Sequence, residues 1–125
     1  MRLKTTLLAT LLCLGTTTTA IADSYDSAVN SAINENYSAA FSHWMPLAKG
    51  GDARAQFNVA LMYHGGLHVD FDESAALEWY QLAAANGVVE AQEYLAVGYK
   101  EGWFGLPVDN MKANYWQQKI ETSAL

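Results

Sequence analysis

The chain has 125 residues, and thirteen acidic side chains against seven basic ones give it a net charge of −6. That balance disfavours nucleic acid and anionic membrane surfaces as partners, because both are bound through clustered Lys and Arg. The single cysteine, Cys13, has no second thiol to pair with, so packing alone must stabilise the fold.

Residues 1–22 have the pattern of a secretory signal peptide. The basic start MRLK precedes the apolar run LLATLLCLG and the small-residue site Ala20–Ala22, which is the order found in such leaders. We predict cleavage after Ala22, which removes Cys13 and two basic residues and takes the net charge from −6 to −8. The expected mature domain, 23–125, is periplasmic or secreted and contains no apolar stretch long enough to cross a membrane.

Helices are predicted along the rest of the chain. Segments 24–34 and 37–49 form a first helical pair. The next helix lies within 53–64, where apolar residues recur at three- and four-residue spacing, and it ends at Gly65-Gly66, because glycine tolerates the left-handed conformation found just past a helix C-terminus.

The following helix begins at Asp72, which is predicted to be its N-cap. Its predicted buried stripe consists of Ala75, Ala76, Trp79, Leu82 and Ala83. Asn86-Gly87 ends this helix, and the segment 89–101 then repeats the pattern of 53–64. Asp109 is predicted to cap a last helix as Asp72 caps the earlier one.

The chain repeats itself at a fixed period. AQFNVALMYHGG, residues 55–66, returns as AQEYLAVGYKEG, residues 91–102, and a third copy begins with DNMKANYWQQK after a loop that is one residue longer. One helix pair cannot bury its apolar face alone, whereas stacked pairs cover one another. We therefore predict an all-α fold, a short right-handed α-solenoid of antiparallel pairs at about 24–50, 53–87 and 89–121.

Small and large residues recur at matching places in this repeat. Alanines that let paired helices approach closely are predicted at Ala60, Ala76, Ala96 and Ala113. Aromatic residues that fill the wider gaps between pairs are predicted at Tyr63, Tyr99, Trp79 and Trp116.

The repeated pattern, AxxGxxxAQxxLAxxYxxG followed by DxxxAxxW, resembles the Sel1-like repeat, a relative of the tetratricopeptide repeat. The likeness covers residues 37–119. Two features depart from known patterns of the family. The expected mature domain has no cysteines, which sets it apart from the exported members that clamp their helix pairs with disulfides, and the loop GWFGLPVD is longer than usual. The resemblance implies a protein-interaction role in envelope assembly or signalling.

The resemblance also implies where a partner binds. In tetratricopeptide-like proteins the first helix of each pair lines a concave groove, and the positions free of helix packing face it. Those positions here are Arg54, Phe57, Leu61 and His64 in one helix and Glu90, Glu93, Val97 and Lys100 in the next. An apolar patch flanked by charges suits a peptide or a partner helix, and an ordinary solvated face stays open as the alternative.

Trp103 and Phe104 are a second candidate for partner binding. They stand between Gly102 and Gly105 in the unusual loop. Such a pair either anchors a partner or folds back over the end of the helix stack, and the sequence leaves both outcomes open.

The sequence predicts no catalytic residue, cofactor or metal. His43 has no accompanying nucleophile motif, and Gly65-Gly66 breaks the helix between His64 and His68, which removes the geometry of a helical metal pair. The predicted function is a protein- or peptide-binding adaptor in the cell envelope. Two alternatives stay open: a small envelope enzyme or enzyme modulator acting on cell-wall material, with carboxylates converging beside His64 or His43, and a structural module that self-associates weakly.

Overall fold

A computed structural model describes residues 22–125, which form six helices and no strand. In chain order these are α1 (22–33), α2 (Tyr37–Lys49), α3 (Ala53–Gly65), α4 (Glu73–Ala85), α5 (Val89–Glu101) and α6 (Asn110–Ser123). The predicted all-α fold is confirmed. Residues 1–21 of the proposed leader lie outside the described residues, and only its last residue, Ala22, is described. Among residues 22–125, no helix is long and apolar enough to cross a bilayer.

Acidic and amide side chains begin most of these helices. Asp72 and Asp109 each accept a hydrogen bond from the backbone N–H three residues on, at 2.9 and 3.0 Å, so both predicted caps are confirmed. Asn36 and Asp52 cap α2 and α3 in the same way. Each cap satisfies a backbone donor that the first helical turn leaves unpaired.

Glycine ends the first helix of each repeat. Gly66 and Gly102 have φ of 62° and 75°, and their N–H groups donate to the carbonyls of Met62 and Gly98 respectively. A side chain at either position would be strained in this left-handed conformation. The predicted end of α3 at the glycine pair is therefore confirmed.

The six helices stack as consecutive neighbours around two apolar clusters. The first cluster joins α1 and α2 to α3 and contains Ala28, Trp44 and Met62. The second joins α3 and α4 to α5 and α6 and contains Tyr80 and Leu95. The four predicted close-approach alanines are buried, with at most 8% of each exposed: Ala60, Ala76, Ala96 and Ala113.

The predicted buried stripe of α4 was wrong at one position. Leu82 is 47% exposed, whereas Tyr80, which the prediction omitted, is fully buried. The buried residues Ala76, Tyr80 and Ala83 follow the spacing of one helix face, and Leu82 lies about a third of a turn away from them. Alanines occur on several sides of α4, so the sequence did not show which side of this helix is buried.

A glutamine explains why Ala-Gln recurs thirty-six residues apart. Gln56 Nε2 donates to the Ala48 carbonyl at 3.2 Å, and Gln92 Nε2 donates to the Ala84 carbonyl at 3.0 Å. Each buried side chain thus ties the first helix of a repeat to the end of the preceding helix. Asn86 additionally donates to Gln56 Oε1 at 3.0 Å, whereas Gln92 Oε1 has no partner among the described residues.

Candidate functional site

Aromatic rings form a rigid cluster where α3, α4 and α5 meet. Tyr80 and Tyr94 stack face to face, with ring centroids 4.9 Å apart and an interplanar angle of 10°. Phe57 lies 5.8 Å from Tyr80 and 6.1 Å from Tyr94. Such contacts add to the stabilisation from burial alone, so the cluster joins two repeats into one surface.

His64 belongs to this cluster. Its Nδ1 lies 3.1 Å from the Tyr80 hydroxyl, which donates to it when the imidazole proton is on Nε2. Its ring also contacts Phe104, with centroids 5.3 Å apart. His68 is exposed and its ring lies against Phe41 instead. The two histidines therefore serve different neighbourhoods.

Burial of the Tyr80 phenol raises its pKa well above the usual value of 10.0, and the neighbouring Tyr94 raises it further. The low local polarity disfavours the phenolate. Tyr80 therefore remains a neutral hydroxyl that can both donate and accept a hydrogen bond under physiological conditions. Its role here is structural support of His64 and Tyr94.

The loop after α5 divides its two aromatic side chains between core and surface. Phe104 is 7% exposed and packs in the second cluster, while Trp103 is 43% exposed. Phe104 therefore folds back onto the helix stack, whereas the role of Trp103 as a partner anchor stays a prediction. Phe104 has φ of 58°, an uncommon conformation for a bulky residue, and the burial of its ring offsets that strain.

Gly98 makes room for the Phe104 ring. A Cβ on Gly98 would lie 2.9 Å from Phe104 Cε2, closer than van der Waals contact allows. The residue thirty-six positions earlier is Met62, which is 2% exposed in the first cluster. The loop ring thus occupies the place that a helix side chain fills in the preceding repeat.

A cavity of about 500 Å³ opens beside this loop. It is lined by His64, Glu73, Tyr94, Gly102, Trp103, Phe104 and Gly105. An adjoining hollow of about 210 Å³ is lined by Glu93, Tyr94, Val97 and Trp103. Because Tyr94 and Trp103 line both the cavity and the hollow, we treat these two spaces as one site and call it the Trp103 site.

Six of the eight face residues predicted from the sequence lie in three different places. Glu93, Val97 and His64 line the Trp103 site. Lys100 and Val97 line a separate hollow of about 600 Å³ between α5 and α6. Phe57 and Leu61 are half-buried and pack against the second cluster. They therefore contribute to packing beneath the surface.

The two remaining predicted residues, Arg54 and Glu90, are exposed. The Arg54 guanidinium lies 4.1 Å above the centre of the Tyr25 ring, so it holds α3 against α1 by a cation–π contact. Asn58 strengthens the same junction by donating to the Tyr25 hydroxyl at 3.0 Å. Arg54 is therefore engaged in a contact within the chain, and the role of Glu90 stays a prediction.

Sequence reasoning missed Tyr94 and Glu73. Tyr94 corresponds to Asn58 in the preceding repeat, thirty-six residues earlier, and the polar counterpart concealed an aromatic position. Glu73 lies in the first turn of α4, a second helix of its pair, whereas only first helices were expected to face a partner. The replacement of the polar Asn58 by the aromatic Tyr94 at the same repeat position was the sequence signal that could have revealed this part of the site.

The cavity bears on the enzyme alternative. That alternative predicted carboxylates converging beside His64 or His43. In the Trp103 site, Glu73 lines the main cavity together with His64, and Glu93 lines the adjoining hollow, so the enzyme alternative stays a prediction. The Tyr80 hydroxyl also engages Nδ1 of His64. Among residues 22–125, no group of three or more His, Cys, Asp or Glu side chains is arranged to hold a metal ion.

Helix pairs stacked through alanines, capped by aspartates and closed by left-handed glycines define a short repeat solenoid. Comparison with protein families matches two Sel1 repeats, over residues 53–88 and 89–119. These cover more than half of the sequence, and the chain belongs to the Sel1 repeat family. Sel1 repeats generally mediate protein–protein interactions, and their fold is typically a non-enzymatic scaffold.

Two solved structures are similar to this fold. A protective antigen present in uropathogenic Escherichia coli strains, which displays an SLR fold, is 26% identical, with a TM-score of 0.75 over 84% of this chain and 23% of its own. A Sel1 repeat protein from Oxalobacter formigenes is 25% identical, with a TM-score of 0.72 over 81% of this chain and 41% of its own. This chain thus spans less than half of either protein. No curated protein matches the sequence.

Proposed function

We propose that this protein is an exported adaptor of the cell envelope that binds a protein or peptide at the Trp103 site. The exposure of Trp103 on a buried aromatic framework is the observation that carries the proposal. Trp residues are enriched among the side chains that dominate binding energies at interfaces. Gly98 and Phe104 hold the loop in place, so a partner meets a preformed surface and little ordering entropy opposes binding.

Membership of the Sel1 repeat family supports the adaptor role, and the site's composition supports its position. The exposed Val97 and Trp103 side chains provide apolar area, while Glu93 and Glu73 form a charged border. Interfaces commonly combine an apolar centre with a polar rim. A segment of a partner chain fits this arrangement.

Export rests on the order of basic, apolar and small residues in the first 22 positions. When the full-length protein is expressed in its own organism with a C-terminal tag, its recovered mass should correspond to a chain that begins at Asp23. The protein should appear in the periplasmic fraction or the medium. An intact mass that still includes Met1, together with a cytoplasmic location, would contradict the export proposal.

Site-specific photo-cross-linking tests the adaptor proposal. A benzophenone amino acid placed at Trp103 should give a discrete cross-linked adduct with an envelope protein after irradiation of living cells. The matched control places it at Tyr115, an aromatic residue of α6 that is 52% exposed. Because a benzophenone at position 103 removes the Trp103 ring, a second variant places it at Val97, which lines the same site. The proposal fails if position 115 gives the same adducts as positions 103 and 97, or if neither of these two positions gives one.

A further inference from the structure

We propose that the Trp103 site recognises the cationic side chain of a basic peptide, with arginine as the preferred residue. This inference rests on the proposed function, since it names the chemistry of the partner that the same site binds. Its parts are the rings of Trp103 and Tyr94 and the carboxylates of Glu73 and Glu93.

The aromatic part of the site favours a cation. The face of an aromatic ring carries negative electrostatic potential, so it attracts a guanidinium or ammonium group, and tryptophan does so most strongly. Trp103 presents its ring partly to solvent, and Tyr94 lines the same two spaces. Tyr80 stacks on Tyr94 and Phe104 lies at 77° to Trp103, so neighbouring rings fix the positions of both.

The charged part of the site favours the same ligand. Glu73 and Glu93 contribute one carboxylate to each of the adjoining spaces, and no Lys or Arg among the described residues lines either of them. The one ion pair within residues 22–125 joins Lys112 to Asp109 at the start of α6, so neither Glu73 nor Glu93 has an ion-pair partner among these residues. The chain's net charge of −6 adds a long-range attraction for a basic partner.

Other ligand classes fit less well. An anionic group would meet the carboxylates of Glu73 and Glu93 beside two aromatic side chains. A purely apolar side chain would contact the rings but would leave the carboxylates partly desolvated without compensation. Arginine combines a planar group that stacks on tryptophan with a fork of donors that matches a carboxylate, which a lysine ammonium does not.

The test uses three synthetic pentapeptides, each with glycines flanking a central arginine, lysine or citrulline. Citrulline has the shape of arginine without its charge. Binding to the purified protein is followed by the NMR signal of the Trp103 indole N–H, which is assigned by its loss in Trp103→Phe. We expect the arginine peptide to bind about tenfold more tightly than the citrulline peptide and more tightly than the lysine peptide.

Charge-matched variants locate the effect. Glu73→Gln with Glu93→Gln should weaken binding of the arginine peptide about fivefold or more and leave the citrulline peptide unchanged. The control, Glu78→Gln with Glu121→Gln, changes the net charge equally at exposed positions outside the site and should alter arginine binding less than twofold. Circular dichroism shows that each variant remains folded.

The outcomes separate this inference from the proposed function. Equal binding of the arginine and citrulline peptides, with a discrete cross-link at position 103, overturns cation recognition and leaves the adaptor role intact. Free methylguanidinium that binds as tightly as the arginine peptide overturns the peptide as occupant. Loss of the cross-link together with the absence of peptide binding overturns both proposals.

Discussion

Replacement of Tyr80 by alanine should destabilise the domain by about 3–5 kcal/mol, because a fully buried aromatic ring leaves a cavity that its neighbours cannot fill. Tyr80 contacts rings from three other segments: Phe57 of α3, Tyr94 of α5 and Phe104 of the following loop. A single-domain protein is commonly stable by only about 5–15 kcal/mol, so the loss is a large share. Urea denaturation followed by circular dichroism measures it.

Two controls show whether the ring or the hydroxyl of Tyr80 carries the stabilisation. Tyr80→Phe keeps the ring and removes the hydrogen bond to His64, and it should cost about 1 kcal/mol. Tyr115→Ala removes a ring that is 52% exposed, and its effect should stay within about 0.5 kcal/mol. If Tyr80→Ala costs no more than Tyr80→Phe, the aromatic cluster does not join the repeats as described.

The fold could be predicted from the sequence because it depends on local signals that occur more than once. Asp72 and Asp109 mark helix starts, Gly66 and Gly102 mark helix ends, and each copy supports the reading of the other. The error at Leu82 arose where such signals were weak. Alanine-rich helices have several faces of similar polarity, so only the positions of neighbouring helices decide which face is buried.

The site could be predicted only in part, because the two repeats differ where it forms. Alignment of the repeats located Glu93 and Val97, which line it. The same alignment included Phe57, whose half-buried ring packs against the second cluster, since a surface position in an average repeat need not be one in this chain. Tyr94 and Glu73 line the site because α3, α4, α5 and the loop pack together there. The periodic sequence pattern carries no information about these contacts.

The second large effect on stability is expected at Gly98 and Phe104, where a ring from the loop packs against a helix position that has no side chain. Phe104→Ala should cost about 3 kcal/mol, because it removes a ring that is 7% exposed. Gly98→Met should cost about 1–3 kcal/mol by overpacking, since its Cβ would lie 2.9 Å from Phe104 Cε2. Together the two changes should cost less than their sum by at least about 1 kcal/mol, because methionine would occupy the vacated space as Met62 does in the preceding repeat.

The control pairs Gly98→Met with Tyr115→Ala, at an exposed position of α6 that leaves the Phe104 ring in place, and it should give additive losses in free energy of unfolding. If the losses for Gly98→Met and Phe104→Ala are also additive, the Phe104 ring does not occupy the space that a side chain at residue 98 would fill.

The double variant Gly98→Met with Phe104→Ala also separates stability from binding. The helices of this variant should recover much of their packing. No aromatic ring would then pack between Gly98 and the loop after α5, residues 102–108. Trp103 should lose the support of the Phe104 ring, while its backbone N–H still donates to the Gly98 carbonyl. The cross-link at residue 103 and the preference for the arginine peptide should therefore weaken, even though the domain is folded.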